Sequence, residues 1–247
     1  MAPPPAQVLN AWDLPSAERL EGGQGTAYRA GTVVLKPVEN AERFAVFSEA
    51  LRDVPLAPGV RISGPVLSRR GAWVVEGWAA WEWIEGSDHA MGCRELLEVA
   101  ERFHRAVAGV PLAAVRPGDD RWSTADRAAW GEGVAPLPSA LSSLAARRRN
   151  IDKNAQLIHG DLAGNVVWHD ELAPRVIDLS PYWRPAAYAD AIVIVDSVAY
   201  RQAGPDVVEE HVRVHGDQLL IRAVLFRVGA APDELAAYQP VAEWLLS

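Results

Sequence analysis

Apolar residues in the first third of the chain are spaced as short strands and one helix require. The run at 32–36, Thr-Val-Val-Leu-Lys, precedes a proline and predicts a strand, and residues 39–51 carry apolar side chains at helical spacing. Runs near 66–67, 73–75 and 78–84 predict further strands. Residues 1–20 are rich in proline and then weakly helical, so this part of the chain predicts a small sheet with one helix.

The pattern changes after Gly86. Helices are predicted at 93–107, 123–130 and 139–149, and short strands at 157–158, 166–168 and 176–177. Residues 186–246 predict three helices, with breaks at 204–205 and 229–232. We therefore predict an α+β protein of two lobes. A small antiparallel β lobe with one helix occupies 1–86, linker included, and a larger, mainly helical lobe occupies 87–247.

One polar segment among the later strands carries candidate chemistry. It reads His159-Gly160-Asp161-Leu162-Ala163-Gly164-Asn165, and Ile177-Asp178-Leu179 follows after an apolar run. Phosphoryl transfer needs one carboxylate near the attacking hydroxyl, and an amide oxygen with a second carboxylate to hold Mg²⁺ on the phosphates. Asp161, Asn165 and Asp178 supply these groups in that order. A polar turn between strands is the alternative interpretation.

A second His-Gly-Asp, at 215–217, shows how little the tripeptide means alone. No asparagine follows it at four or five residues, and no Ile-Asp pair comes later. We predict that Asp217 lies at the start of a helix, where the positive end of the helix dipole favours a carboxylate. The extended pattern around Asp161 therefore carries the inference.

Two upstream features suit the phosphates of a nucleotide. The cluster Gly22, Gly23 and Gly25 would let a loop approach phosphates closely, although an ordinary hairpin turn gives the same pattern. Lys36 follows at the end of a strand, and only two of the 24 lysine and arginine residues are lysines. A lysine retained in so arginine-biased a chain is a good candidate for a specific role.

Charge and composition narrow the choice of partner. The net charge of −8 argues against binding to a nucleic-acid backbone, which needs clustered cations. No apolar run is long enough to span a membrane, and the start of the sequence lacks a secretory signal. The single cysteine, Cys93, excludes an internal disulfide. We expect a cytoplasmic protein with a small-molecule partner and leave its oligomeric state open.

Segment 159–178 resembles the catalytic segment of the aminoglycoside phosphotransferases, a family related to the protein kinases that usually reads H-G-D-x-x-x-x-N. The resemblance implies a protein-kinase-like two-lobe fold that uses ATP and Mg²⁺. It also implies that Asp161 orients the acceptor hydroxyl, while Asn165 and Asp178 bind the metal. His159 would hold the catalytic loop, and Asp190 would support it from the next helix.

The same resemblance assigns nucleotide contacts in the first lobe. Lys36 would reach the α- and β-phosphates, held by Glu49 or, as second choice, by Glu42 on the following helix. The end of the 78–86 run resembles the linker of the family, although a buried strand is the alternative. The linker residues that would bond the adenine edge are Trp83, Ile84 and Glu85.

The expected function is transfer of the γ-phosphate of ATP to a hydroxyl of a small molecule, either an aminoglycoside-like antibiotic or a metabolite. One departure from the family opens an alternative. Only three residues separate Asp161 from Asn165, so up to about 3.5 Å of chain is missing. Asn165 then misses the metal unless the loop changes its path, which Gly164 would permit. The alternatives are a nucleotide-binding pseudokinase with a regulatory or scaffolding role, and a kinase-like fold that binds a metabolite without nucleotide.

Overall fold

The computed structural model describes residues 2–21, 25–54, 57–86, 91–115, 118–152, 154–169 and 171–247. Its first part is built around an antiparallel sheet and one long helix, as predicted. The helices are α1 (Ala6–Ala11) and α2 (Ala41–Arg52). The strands are β1 (Glu18–Arg19), β2 (Tyr28–Ala30), β3 (Val33–Pro37), β4 (Arg61–Ile62), β5 (Pro65–Val66), β6 (Val74–Val75) and β7 (Trp78–Glu82).

The sheet follows the order β1–β2–β3–β7–β5, and β6 also pairs with β7. Every pairing in it is antiparallel, and Lys36 of β3 lies opposite Ala79 of β7. The weakly helical start becomes α1, which packs against this sheet. Val8 is fully buried, and the Trp12 indole donates to the Val66 carbonyl at 3.0 Å. A small apolar cluster of its own therefore stabilises the sheet.

The rest of the chain is mainly helical. The helices are α3 (Cys93–Ala106), α4 (Arg121–Trp130), α5 (Ser142–Ala146), α6 (Ala186–Tyr200), α7 (Pro205–His215), α8 (Gln218–Ala230) and α9 (Leu235–Leu246). The prediction of three helices after residue 186 was wrong, since α7 and α8 are separate. Gly216 separates them with a φ of 76°, a conformation that glycine adopts without strain. Asp217 precedes α8, as predicted for the second His-Gly-Asp.

Two small sheets carry the segment around Asp161. Strand β8 (Gln156–His159) pairs with β11 (Pro181–Arg184), and β9 (Val166–His169) pairs with β10 (Leu172–Val176). Strand β4 runs parallel to β10, so the first part of the chain adds a strand to the second. The β8–β11 pair brings Gly160 beside Ser180, whose carbonyl accepts the Gly160 N–H at 2.8 Å. The two ends of the predicted motif are thereby adjacent.

The predicted linker ends against β9. Gly86 has a φ of 152°, and a Cβ there would overlap the Trp168 carbonyl and the Val167 side chain. Only glycine allows this close approach. The division at 86/87 stays a prediction, because residues 87–90 lie outside the described residues. Within the described ranges, no helix is long and apolar enough to cross a bilayer.

Candidate active site

His159 ties the two halves of the motif together. Its buried ring accepts the Asp161 N–H at Nδ1, 3.0 Å away, so Nε2 carries the proton and donates to the Ile177 carbonyl at 3.2 Å. Burial lowers the pKa of the imidazole, which keeps the ring neutral. The ring thus joins the turn at Asp161 to the residue before Asp178, the supporting role proposed for His159.

The Asp161 carboxylate is held from both sides. Its Oδ1 accepts from Arg227 Nη2 at 2.9 Å, and its Oδ2 accepts from Asn165 Nδ2 at 3.2 Å. About half of the side chain, 52%, is nevertheless exposed. Asp161 is therefore a fixed and accessible carboxylate, the kind of group that can receive a hydroxyl proton.

The shortened loop still places Asn165 beside the Asp178 segment. The Asn165 N–H donates to the Leu162 carbonyl at 2.9 Å, which forms a turn, and the Asn165 carbonyl accepts the Ile177 N–H at 2.9 Å. Its amide nitrogen bonds the Asp161 carbonyl at 2.6 Å, which leaves the amide oxygen without a hydrogen bond to any described residue. Gly164 was expected to supply an unusual backbone path, but it does not adopt a positive φ. The turn from Leu162 to Asn165 therefore accommodates the shorter loop without a positive φ at Gly164.

Asp178 meets Lys36 at the boundary between the sheet and the helical part. Lys36 Nζ lies 2.8 Å from Asp178 Oδ1, and it also lies 5.9 Å from the centroid of the Trp81 ring. Asp178 has a φ of 48°, which only a small fraction of non-glycine residues adopt and which is enriched at functional sites. Lys36, the predicted phosphate-binding cation, and Asp178, the predicted metal ligand, are therefore in direct contact.

The prediction that Glu49 pairs with Lys36 is not what the structure shows. Glu49 pairs instead with Arg52 at 3.1 Å and accepts from the Trp73 indole at 3.2 Å. The reason is the orientation of α2. Phe47 and Ser48 lie on its buried side, whereas the Glu49 side chain is more than half exposed. The prediction for Glu49 is therefore wrong, and the carboxylate that lies beside Lys36 is that of Asp178.

The backbone N–H groups of the three predicted linker residues differ in whether they already make a hydrogen bond. The Trp83 N–H donates to the Thr32 carbonyl at 2.8 Å and is therefore not available to a base. The N–H groups of Ile84 and Glu85 make no hydrogen bond to any described residue. The Arg29 guanidinium covers the Trp83 ring at 4.4 Å and lies 3.6 Å from the Glu85 carboxylate. Of the three linker N–H groups, only those of Ile84 and Glu85 are therefore open to a ligand.

The glycine cluster is only partly described. Gly22 and Gly23 lie outside the described residues. Gly25, between β1 and β2, has a φ of 65°, and its carbonyl accepts two hydrogen bonds from the Arg19 guanidinium, at 3.1 and 2.9 Å. Gly25 therefore has a conformational reason to be glycine, and its role toward phosphates stays a prediction.

Asp190 does not support the catalytic loop. It makes no hydrogen bond to a described residue, and the charge of Glu101 on α3 acts on it. Six residues later on α6, Asp196 binds Arg227, which reaches Asp161. At about 100° per residue, six positions turn a helix by about 240°, so the two aspartates face different sides. The supporting aspartate is on the predicted helix but nearly two turns further along.

We expect Asp190→Asn to stabilise the protein at high pH. Burial, and secondarily Glu101, raises the pKa of Asp190 to about 7, so the folded state holds a proton that the unfolded state releases near pH 4. The free energy of unfolding contributed by this group therefore falls as pH rises from about 4 to 7. Thermal unfolding at pH 8 should show the variant more stable by roughly 1–3 kcal/mol, with little difference at pH 4. The exposed Asp233→Asn is the control, and an equal gain at both pH values would contradict this account.

Gly160 in the motif should not tolerate a side chain. A Cβ there would overlap the Tyr182 ring of β11, whereas a Cβ at Gly164, four residues on, would meet nothing within 4 Å. Gly160→Ala should destabilise the fold by about 1–3 kcal/mol, because the packed ring has to move. Gly164→Ala should change stability by less than about 0.5 kcal/mol. Equal thermal unfolding midpoints for the two variants would show that the contact is unimportant.

The sequence did not single out three residues that hold the site: Asp196, Arg201 and Arg227. Arg201 donates to the Ala163 carbonyl at 2.6 Å and so anchors the loop. A signal for the other two existed, because α6 and α8 are otherwise almost wholly apolar, and α6 carries two aspartates whereas α8 carries two arginines. Charges in buried helices are stable only when paired, so a partnership could have been proposed.

Asp161 and Asp178 line one cleft of about 320 Å³, together with Arg43, Tyr182 and Arg227. Among the described residues, no group of three or more His, Cys, Asp or Glu side chains is arranged to hold a metal. Three carboxylates, those of Asp120, Asp161 and Asp178, line this cleft, and Asn165 lies next to it, where its carbonyl accepts the Ile177 N–H. Such hard oxygen donors suit Mg²⁺, which takes one or two carboxylates and completes its shell with water and substrate phosphates.

Comparison with solved structures identifies the fold. Spectinomycin phosphotransferase APH(9)-Ia, in complex with ADP and spectinomycin, aligns over 97% of this chain and 96% of that one, with 14% identity and a TM-score of 0.59. An aminoglycoside phosphotransferase from Alicyclobacillus acidocaldarius aligns over 99% and 94%, with 14% identity and a TM-score of 0.61. Aminoglycoside 2'-phosphotransferase-IIIa in complex with GDP aligns over 97% and 96%, with 14% identity and a TM-score of 0.58.

No protein-family model and no curated protein matches the sequence. At such low identity, the structural likeness establishes the fold and not the activity. The predicted α+β, protein-kinase-like fold is confirmed, and it is the fold of the aminoglycoside phosphotransferases.

Proposed function

We propose that this chain, which has the fold of the aminoglycoside phosphotransferases, transfers the γ-phosphate of ATP to a hydroxyl group of a small molecule. The observation that carries the proposal is the ion pair between Lys36 and Asp178, because Asp178 lines the same cleft as the fixed carboxylate of Asp161. Phosphoryl transfer depends mainly on positioning and charge stabilisation, so a cation, a metal ligand and an acceptor carboxylate are the parts required.

Each residue has a distinct task in this reaction. Asp161 accepts a hydrogen bond from the acceptor hydroxyl and takes its proton as the oxygen attacks the γ-phosphorus, while the bond from that phosphorus to the β–γ bridging oxygen breaks and ADP leaves. Lys36 is free to exchange its bond with Asp178 for one to a phosphate oxygen. Asp178 and the Asn165 amide oxygen would hold Mg²⁺, which when bound supplies positive charge to the phosphates. The backbone N–H groups of Ile84 and Glu85 are available to orient the base.

The identity of the two substrates is proposed by likeness. The related structures contain ADP with spectinomycin or GDP, so a purine nucleotide and a polyhydroxyl acceptor are the reasonable classes. We propose ATP as the donor and an aminoglycoside-like antibiotic or a hydroxylated metabolite as the acceptor. A pseudokinase is the second candidate, because the loop between Asp161 and Asn165 is one residue shorter than in the family it resembles.

The test has two steps. MgATP at about 100 times its dissociation constant should stabilise the chain by about 2.7 kcal/mol, which at this size raises the unfolding midpoint by roughly 5–10 °C. Labelled γ-phosphate should then appear on a hydroxyl compound from a panel of amino sugars, sugars and polyols. Stabilisation without transfer to any acceptor or to water favours the pseudokinase. Absence of stabilisation contradicts both candidates.

A further inference from the structure

Arg227 is a cation placed inside a completely buried helix. Every residue of α8 is buried, and the Arg227 side chain is only 5% exposed. Taking an arginine out of water is costly unless partners satisfy its charge and its N–H groups. The position of Arg227 therefore needs a compensating arrangement around it.

That arrangement joins α8 to α6, to α9 and to the catalytic loop. Arg227 Nε donates to Asp196 Oδ1 at 2.8 Å, and Nη2 donates both to Asp196 Oδ2 and, at 2.9 Å, to Asp161 Oδ1. The Tyr238 hydroxyl donates to Asp196 Oδ1 at 3.0 Å. Burial alone would lower the pKa of Arg227, but the charges of Asp196 and Asp161 outweigh it and raise the pKa, so the guanidinium stays protonated.

The charged side chains of Asp161, Asp196 and Arg227 differ in their exposure to solvent. Asp196 neutralises Arg227 within the core, and the remaining negative charge belongs to Asp161, whose side chain is 52% exposed against 5% for Arg227. Arg227 can therefore orient the Asp161 carboxylate without consuming its charge. The pair also lies between two recesses, because Asp161 and Arg227 line both the cleft of about 320 Å³ and a second one of about 270 Å³.

We propose that Arg227, anchored by Asp196, is a positioning residue that fixes the Asp161 carboxylate for phosphoryl transfer. This inference rests on the proposed function. Arg227 holds Oδ1 while Asn165 holds Oδ2, so the side chain of Asp161 is restrained from two elements far apart in sequence. A displacement of about 1 Å in such a group can cost about 10²-fold in rate.

The same helix offers a matched control. Arg222 is also buried, but among the described residues its guanidinium donates only to Gln218 and to the Arg149 carbonyl, and to no carboxylate of the site. Arg227→Lys should lower kcat by about 10–100-fold and leave KM for MgATP within about 3-fold of the wild type. Arg222→Lys should leave both constants within about 3-fold, at a comparable loss of thermal stability. Equal kcat values for the two variants would overturn the proposal.

Asp196→Asn provides a second variant in case Arg227→Lys does not fold. Asparagine keeps the size of the side chain and an oxygen for Tyr238, but it removes the charge that neutralises Arg227. The guanidinium is then left with Asp161 as its only charged partner, and kcat should again fall by about 10-fold or more, with KM for MgATP little changed. An unchanged kcat in this variant would contradict the anchoring role of Asp196.

Failure of this inference and failure of the proposed function give different results. If the wild type neither transfers phosphate to an acceptor nor hydrolyses MgATP, the proposed function fails. The position of the Asp161 side chain in a crystal structure of Arg227→Lys then decides the inference. A carboxylate that has turned away from its wild-type position supports it, and an unmoved carboxylate overturns it.

Discussion

Asp161→Asn is expected to reduce phosphoryl transfer by about 10²–10⁴-fold, the usual contribution of a positioned proton acceptor. Asparagine has the same shape and can still accept from Arg227, but its amide cannot take the proton of the acceptor hydroxyl. The Asp161 side chain is half exposed, so the fold should tolerate the change. MgATP should raise the unfolding midpoint of this variant by the same amount as is expected for the wild type.

The chain contains its own control for this experiment. Asp217 belongs to the second His-Gly-Asp and lies before α8, where its carboxylate is near Arg149 at 3.4 Å. Asp217→Asn removes the same charge from the same tripeptide and should leave transfer within about 2-fold. Initial rates measured with labelled ATP under saturating acceptor would compare the two. An Asp161→Asn variant that retains more than about a tenth of wild-type activity would exclude Asp161 as the proton acceptor.

Asp178→Asn is expected to have the second largest effect, at least about 10²-fold on transfer. It exchanges a charged oxygen donor for a neutral one, which weakens the hold on Mg²⁺. The substitution is chosen because asparagine tolerates the positive φ of 48° that Asp178 adopts, so the backbone is not the cause of the loss. The Mg²⁺ concentration needed for half-maximal activity, and for stabilisation by ATP, should rise in the variant.

Asp13 is the matched control for this position. It also has a positive φ, 60°, and its carboxylate pairs with Arg69 at 2.8 Å, away from the cleft. Asp13→Asn should therefore reproduce any cost of the backbone conformation and of losing an ion pair, without changing the dependence on Mg²⁺. If the two variants respond alike to Mg²⁺, Asp178 is not a metal ligand.

Sequence reasoning located the site better than it located the contacts within it. The order Asp161, Asn165, Asp178 is a local pattern, and the short strands around it were readable from apolar runs, so their adjacency could be expected. The face that α2 buries depends on the tertiary packing of Phe47 and Ser48, and helical spacing alone does not show that Glu49 points outward. Element type is local information, whereas orientation is set by partners elsewhere in the chain.

The residues that hold Asp161 illustrate the same limit. Arg227 and Asp196 are 31 residues apart, and Arg227 and Asp161 are 66 apart, so no spacing rule connects them. Their unusual setting in apolar helices was visible, but the partner of each charge was not. The shortened loop is a related case. One missing residue suggested that Asn165 would be displaced unless Gly164 changed the path of the loop. In the structure, a turn in which the Asn165 N–H bonds the Leu162 carbonyl accommodates the shorter loop.

The parallel pairing of β4 with β10 has a consequence for how the chain reaches its native state during synthesis. The Arg61 side chain on β4 donates to the Ala173 carbonyl on β10, 112 positions later, and the Ser63 N–H just after β4 donates to the Val176 carbonyl. These bonds cannot form until the chain through residue 176 has left the ribosome. Pairing of β4 must therefore wait for the later segment, although the six-stranded sheet near the start of the chain contains all of its own strands. The cleft lined by Asp161, Asp178 and Arg227 is completed only when most of the protein has been made.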